Sequence, residues 1–447
     1  MDQNLNFVVH TFGCKVNTYD SGLIQKNLTT HQFQYVPKLE KEKAQIHILN
    51  TCAVTAEATK EAVKVIRRIK SQQPFSTIVV TGCAAQVDTG SFENLPGADL
   101  VVANSHKGLL PDLLKKHFRG ELTEKVFKSN IFKKEDLEAG GGLEKSHTRS
   151  FLKIQDGCNS FCSFCIIPYA RGKSRSIAIK DLVARIRELE NQGYNEIVLT
   201  GVHIGDYEDE VSGAKKNMDD LVEAILAQTR VPRIRLSSLE PIEISDRLLE
   251  MYSDSRLCPH FHMSIQSADT EVLKNMKRKY TEKEVIESLN RIAHKVPNAY
   301  IGMDVIAGFP TETDEQFENT FKNLSETPWT RLHVFPYSER SGTKAETLPQ
   351  IPFSKRKERA SQLRELSWHR QQAEALKQVG TLQQALILNK PAKGAQGLTD
   401  YYWPVRLTDE SELNEGDQGQ ILPVTITGVE IDSGEIILAA TRGDKNV

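Results

Sequence analysis

Three short apolar runs near the start of the chain each end in a cysteine: NFVVHTFGC (6–14), AQIHILNTC (44–52) and TIVVTGC (77–83). Between them lie stretches of helical periodicity, such as 56–69, where Ala58, Ala62, Val65 and Ile69 share one face. Strand–helix alternation builds a parallel sheet, and ligands gather at the carboxyl ends of its strands. Cys14, Cys52 and Cys83 stand at three such ends, so they can converge although far apart in sequence. A buried structural thiol is the ordinary reading of any one of them. Three in the same context favour a shared site. No G-x-G-x-x-G follows these strands, so a dinucleotide site is not indicated.

A second trio is compact: DGCNSFCSFCIIP places Cys158, Cys162 and Cys165 in a C-x3-C-x2-C run. Structural zinc normally takes four protein ligands, and no fourth cysteine or histidine stands at the usual spacing. Three thiolates on a four-iron cluster instead leave one iron open to a substrate or cofactor. The seventh cysteine, Cys258, has no partner in either motif and reads as a buried or incidental thiol. An odd number of cysteines in a chain of 447 residues, with no export-like start, argues against a disulfide framework and for a cytoplasmic protein. A zinc-containing RNA-binding protein is the non-enzymatic alternative, and it predicts a colourless preparation.

The expected fold class is α/β in three parts. Residues 1–118 form a parallel-sheet α/β domain, and 119–147, charged with Gly140, Gly141 and Gly142 in the middle, read as a linker. Strand candidates at 151–155, 196–200, 233–237, 260–265, 299–306 and 331–336 alternate with amphipathic helices. One such helix is 180–192, with Leu182, Ile186 and Leu189 on one face. Six βα units imply a partial (β/α)6 barrel over 148–375, related to the closed eightfold form. It ends in a long helix at 351–380 that carries seven Lys/Arg against three Glu. Short strands broken by turns then suggest a small antiparallel β-barrel over 376–442. No apolar run reaches the roughly 18 residues of a membrane span. The net charge of −2 advertises no bulk affinity for nucleic acid.

DGCNSFCSFCIIPYARGKSRS resembles the cluster motif of radical S-adenosylmethionine (SAM) enzymes, specifically the methylthiotransferases. TFGCKVNTYDS, LNTCAVT and VTGCAAQ resemble the three cysteine segments of that family's N-terminal domain. RLSSLEP, FHMSIQS, MDVIAGFPTET and FPYSERSGT resemble its barrel segments, and the C-terminal part its TRAM domain, a small RNA-binding barrel. Together these span nearly the whole chain in order. GCKVN followed by YDS resembles the MtaB type, which methylthiolates threonylcarbamoyladenosine beside the tRNA anticodon. The isopentenyladenosine and ribosomal-protein-aspartate branches are the alternatives within the family.

The resemblance implies a 4Fe-4S cluster on Cys158, Cys162 and Cys165 whose open iron binds SAM, and a second 4Fe-4S cluster on Cys14, Cys52 and Cys83 that supplies or carries sulfur. One SAM would yield the deoxyadenosyl radical and another the methyl group. Phe164 would lie near the SAM adenine. Gly201, Val202 and His203 would occupy the SAM amino-group segment, without the usual glycine–glycine–glutamate form. Ser237, Glu240, His262 and Gln266 would face the same site, while Asp304 could instead fix a barrel turn. Arg171 would contact substrate or the SAM carboxylate. The implied partners are the tRNA anticodon stem-loop, a flavodoxin-like or similar electron donor and a sulfur donor of unknown identity, with no membrane, and the protein is expected to be a monomer.

The C-terminal segment from Thr381 carries five Lys/Arg against ten Asp/Glu, an acidic balance for an RNA-binding module. The expectation is therefore a local basic or aromatic face around Arg406 and Tyr401, Tyr402 and Trp403, or tRNA held by the basic helix through Lys355, Arg356, Lys357 and Arg359. On the second view, charge reversal of that helix weakens tRNA binding more than changes at Lys390 and Lys393.

Overall fold

The computed structural model describes residues 5–134, 137, 148–389, 394–408 and 415–443. The first part is one parallel sheet. Its strands are β1 (Asn6–Thr11), β2 (Gln34–Tyr35), β3 (Ile46–Thr51), β4 (Thr77–Gly82), β5 (Leu100–Ala103) and β6 (Val126–Phe127), in the order β2-β1-β3-β4-β5-β6. β3 and β4 are buried along their whole length, which is why they read as continuous apolar runs rather than alternating ones. β6 lies inside the segment read as a linker. Gly140, Gly141 and Gly142 fall outside the described residues. Helices α1 (Lys15–Thr30), α2 (Ala56–Gln72) and α3 (Cys83–Val87) each start just beyond a cysteine-bearing strand end.

The central part begins with β7 (Ser150–Lys153). A two-stranded pair, β8 (Gln155–Asp156) and β9 (Arg175–Ser176), brackets the tight cysteine run. Next come β10 (Glu196–Thr200), a hairpin of β11 (Asp209–Val211) and β12 (Ala214–Lys216), β13 (Arg233–Leu236), β14 (His260–Gln266), β15 (Tyr300–Ala307) and β16 (Arg331–Pro336). β7, β10 and β13 pair in parallel, as do β14, β15 and β16. Parallel bridges Ile234–Leu257 and Leu239–Met263 join the two halves. All six expected strands are present, and the partial barrel runs in chain order. Its helices pack Leu182, Ile186, Leu221, Ile225, Leu289 and Ile292 against the strands in one core, which also takes in Tyr19 from α1. Thus α1 lies against the open side of the barrel.

The helix Phe353–Leu376 packs on β16 and leads to the last unit. There β17 (Leu382–Asn389), β18 (Ala395–Thr399), β19 (Pro404–Leu407), β20 (Ile421–Asp432) and β21 (Glu435–Arg442) close into a five-stranded barrel, the form expected of a TRAM domain. Four pairings are antiparallel, while β19 and β21 run parallel.

This small barrel seals the amino end of the large one. Tyr402 stacks on buried His260 with centroids 3.9 Å apart, and Trp403 meets Tyr300 edge-on at 5.0 Å. Arg233 donates to the carbonyls of Leu398 and Gln384, and Arg235 to those of Thr399 and Asp400. Arg235 also pairs with the wholly buried Glu196. The aromatic triplet is therefore a turn, not a strand, and two of its rings are spent on this seam rather than offered to bases.

Candidate active site

The sheet gathers the dispersed thiols. Cys14 caps α1, Cys52 follows β3, and Cys83 opens α3. A Cβ on Gly13 would lie 2.6 Å from the Cys52 Sγ, and its φ of +87° lies in the left-handed region, so only glycine lets the first segment come this close. The thiols share one field: burial, then Cys83 and Cys14, push Cys52 up to about 11. Asn104, at the carboxyl end of β5, points its Nδ2 at the Cys83 Sγ (3.7 Å) and donates to the Ala170 carbonyl (2.9 Å).

The compact trio occupies the loop after β8. A Cβ on Gly157 would lie 2.0 Å from the Lys173 carbonyl oxygen, and φ there is +78°. The Cys158 amide donates to Gly172 O. Ser163 ties the loop to the helix Thr270–Asn275 through Met276 O and Asn275 O. Arg278 donates to the Cys162 Sγ at 3.2 Å while held by Glu240 (2.8 Å) and Ser264 O (2.8 Å). His203 Nδ1 lies 3.7 Å from the Cys158 Sγ, and its Nε2 lies 2.6 Å from Glu243. Burial opposes protonation of His203, but hydrogen bonds with Asp206, Cys158 and Glu243 outweigh it and raise its pKa. Burial pushes Cys165 up to about 12.

A buried ion network joins the two loops. Asp20 of α1 meets Lys107 (3.1 Å), Lys153 (2.7 Å) and Arg171 (3.1 Å), and Asp156 meets Lys153 (3.1 Å) and Arg171 (2.9 Å). Burial favours the neutral acid at Asp20, yet Lys107, Lys153 and Arg171 hold it ionised well below the usual range. Cys83 and Cys14 lie within the field of the Arg171 guanidinium. The Arg171 guanidinium, expected to contact substrate or SAM, is engaged by Asp156, Asp20 and Asn17 Oδ1.

Phe164 and Gln266 line one cavity of about 230 Å³ with Asp304, Ile306, Phe335, Tyr337 and Arg340. Val54 and Thr55, just past Cys52, line it too. Asp304 sits within β15 and pairs with His262 (3.0 Å), so it lines the lumen rather than fixing a turn. Ser237 is buried at the end of β13, and its hydroxyl has no partner among the described residues. Gly201, Val202 and His203 pass beside the compact trio, but the amides of Val202 and His203 both donate to Gln155 Oε1. Glu240 serves Arg278 rather than the cavity.

The cations expected to contact tRNA have partners within the chain. Arg356 is buried and donates to Ile351 O, Tyr337 O, Glu339 and Gln350. Lys355 pairs with Asp314 (2.6 Å), and Arg359 with Glu312 and Asp314. Arg406 is clamped by Glu430 and Asp432 of β20, one strand beyond its neighbour β21. Lys357, the remaining residue of that set on the helix, lies over the Phe353 ring; Lys390 and Lys393 lie outside the described residues. Cys258 is buried, as expected, with its thiol pushed up to about 11 by burial. No helix among the described residues is long and apolar enough to cross a membrane.

Sequence reasoning missed Asn104, Gln155, Arg278 and the Asp20–Lys107–Lys153–Asp156–Arg171 network. Asn104 was within reach, since it follows a strand exactly as the three cysteines do; Arg278, inside the basic run MKRKY, carried no signal.

Residues 152–324 match the radical SAM superfamily, and 6–103 match an uncharacterised protein family, UPF0004. The fold resembles the radical SAM methyltransferase TsrM from Kitasatospora setae (TM-score 0.57, 14% identity, 77% of this chain and 75% of that one). It also resembles the cobalamin-dependent radical SAM enzyme OxsB (TM-score 0.52, 14% identity, 82% and 57%). A partial barrel with three thiols at its mouth and these matches define a radical SAM enzyme.

The chain is 37% identical to the threonylcarbamoyladenosine tRNA methylthiotransferase MtaB of Rickettsia prowazekii over 434 residues, covering 96% of this chain and 97% of that protein. It is 37% identical to the MtaB of Bacillus subtilis (80% and 79%). It is 30% identical to a tRNA-2-methylthio-N(6)-dimethylallyladenosine synthase of Staphylococcus saprophyticus (81% and 71%). The chain belongs to the radical SAM tRNA methylthiotransferases of the MtaB type. The family's cofactors are SAM and two 4Fe-4S clusters.

Proposed function

We propose that the protein adds a methylthio group to carbon 2 of N6-threonylcarbamoyladenosine in the tRNA anticodon loop. The observation that carries this reading is the cavity lined by Val54 and Thr55, next to Cys52, and by Phe164, next to Cys165. A base entering it would lie beside segments that carry a cysteine of each set. The thiol sets fit clusters: each is three cysteines gathered on one loop or one sheet edge, with a donor, Arg278 or Asn104, aimed at a sulfur. Cys158, Cys162 and Cys165 would hold the SAM-binding cluster, and Cys14, Cys52 and Cys83 the sulfur-carrying one.

The bound cofactors supply an electron and a carbon radical, which a non-acidic C–H bond requires and no side chain can provide. The protein's own residues do the rest. Arg278 and His203 donate toward thiolate sulfurs, which tunes the cluster they hold. The unpartnered Ser237 hydroxyl is available to SAM. Phe164 supplies an apolar wall, while Gln266 and the Asp304–His262 pair offer polar groups to the bound molecules. The α1 side of the first part covers the barrel and excludes water, protecting a radical. A flavodoxin-like donor is the proposed electron source. The test is mass spectrometry of tRNA nucleosides and of ribosomal proteins from a deletion strain. Loss of methylthio-threonylcarbamoyladenosine alone is expected. Loss of the dimethylallyl analogue, or of a ribosomal aspartate modification, would reassign the substrate.

A further inference from the structure

A group of exposed cations gathers on the first part, away from the sites described above. A second cavity of about 230 Å³ opens on the first part, between the β1–β3 edge and α2. Lys38, Lys41, Arg68, His10 and His47 line it, and no Asp or Glu does. Lys38, Lys41 and Arg68 are exposed and have no carboxylate partner among the described residues. The cavity wall is built: His10 Nε2 and His47 Nδ1 lie 3.0 Å apart, His47 Nε2 is 2.9 Å from Gln73 Oε1, and Gln73 Nε2 donates to Lys41 O. Since Gln73 Oε1 can only accept, His47 donates through Nε2 and accepts from His10 at Nδ1. The relay fixes the wall and leaves the lysines and arginine as the free donors.

An excess of positive charge is registered inside. Burial, then His47, Lys38, Lys41 and Arg68, push His10 down to about 3. An anion in the cavity would relieve that repulsion. Two further features mark what kind of anion. Phe75, two residues beyond Gln73, is fully exposed, a ring available for stacking on a base. Helix α2 carries five Lys/Arg against two Glu, and its start adjoins Val54 and Thr55 at the barrel mouth. Thirteen residues of helix separate Thr55 from Arg68, or about 20 Å at 1.5 Å per residue.

We infer that this cavity is a phosphate-binding site for the tRNA backbone, and that the anticodon arm runs from the barrel mouth along α2 to Lys38, Lys41 and Arg68. The inference rests on the tRNA reading above and assigns to the first part a share of substrate holding in addition to its cysteines. Phosphate contacts of this kind set register and affinity without reading sequence.

The experiment measures binding of a dye-labelled anticodon stem-loop by anisotropy over a salt series. It compares the wild-type protein with Lys38→Ala/Lys41→Ala/Arg68→Ala, the three single variants, and a control, Lys180→Ala/Lys295→Ala/Lys322→Ala, on the outer helices of the large barrel. The triple variant is expected to bind about tenfold or more weakly, with the salt slope reduced by about two, while the control matches wild type. The single variants should each weaken binding by a smaller factor, and they keep the test open if the triple variant misfolds. Wild-type affinity and slope in the triple and single variants would overturn the site. A parallel titration with inorganic pyrophosphate separates the other source of phosphate. Loss of pyrophosphate binding with unchanged stem-loop affinity would also overturn it, in favour of a small phosphorylated ligand. A wild-type protein that fails to bind the stem-loop would remove the tRNA reading, and this site with it.

Discussion

The two thiol trios reach similar clustering by opposite routes. Cys158, Cys162 and Cys165 are held by one loop, whose geometry is local and set by Gly157 and the tie of Ser163 to Met276. Cys14, Cys52 and Cys83 are brought together only by the pairing of β1, β3 and β4, and each sits on a different βα turn. A loop site can form once its loop is closed. A sheet-edge site exists only when the whole sheet does, and Gly13 and Gly82 are points where its segments come too close for a side chain.

The sharpest test of the contrast is one cysteine from each trio. Cys162→Ser is expected to lower SAM cleavage by more than about a thousandfold and to reduce iron from about eight to about four per chain. Cys52→Ser should lose a similar amount of iron yet still cleave SAM, with no methylthiolated nucleoside formed. Iron analysis, deoxyadenosine release and nucleoside mass spectrometry separate the two. If both variants lose SAM cleavage equally, the division of roles is wrong.

Next in size is the ion network that locks the two loops to one another. Arg171→Met leaves Asp20 and Asp156 with fewer cations in a buried place and should cost about 3–5 kcal/mol, read from the urea midpoint. A loss below about 1 kcal/mol would show the network to be dispensable. Glu196, at the sealed floor and attached to neither trio, provides an acid-side reference. Burial favours its neutral form, but Arg235, Arg149 and Arg233 bring its pKa down to about 2 from the ordinary 4.5. A depressed folded pKa means that the unfolded chain binds the proton more readily. The stabilisation, about 3 kcal/mol, is therefore present above pH 4.5 and lost as pH falls toward 2. Glu196→Gln should be less stable at pH 7 and show a flatter stability curve between those values. Smallest is Gly13→Ala, a local strain of about 1–3 kcal/mol. It should cost iron at the sheet-edge site while the loop site keeps its electron paramagnetic resonance signal; equal loss from both would remove Gly13 as the specific hinge of that trio.

Much of this was legible in the chain because periodicity and spacing are local. The six barrel strands appear where the apolar runs placed them, and the long helix expected at 351–380 is Phe353–Leu376. The cysteines were legible for the same reason, each marked by the strand before it. Charge was not. Arg356 and Arg359 look like a solvated basic face, yet both turn inward, because their partners Glu339, Glu312 and Asp314 come from other segments. Lys153 and Asp20 are 133 residues apart, so nothing in either neighbourhood announces the pair. Whether a cation is spent on the fold or left for a substrate depends on which carboxylates the topology delivers to it. Lys38, Lys41 and Arg68 receive none among the described residues.

The seam between the two barrels has a positional consequence. With Tyr402 and Trp403 seated against His260 and Tyr300, the small barrel occupies the strand starts of the large one. The cavity lined by Gln266, Pro336 and Tyr337 lies at the strand ends. The same strands thus hold domain packing at one end and a ligand-sized space at the other, so a change at the seam reaches that space only along their length.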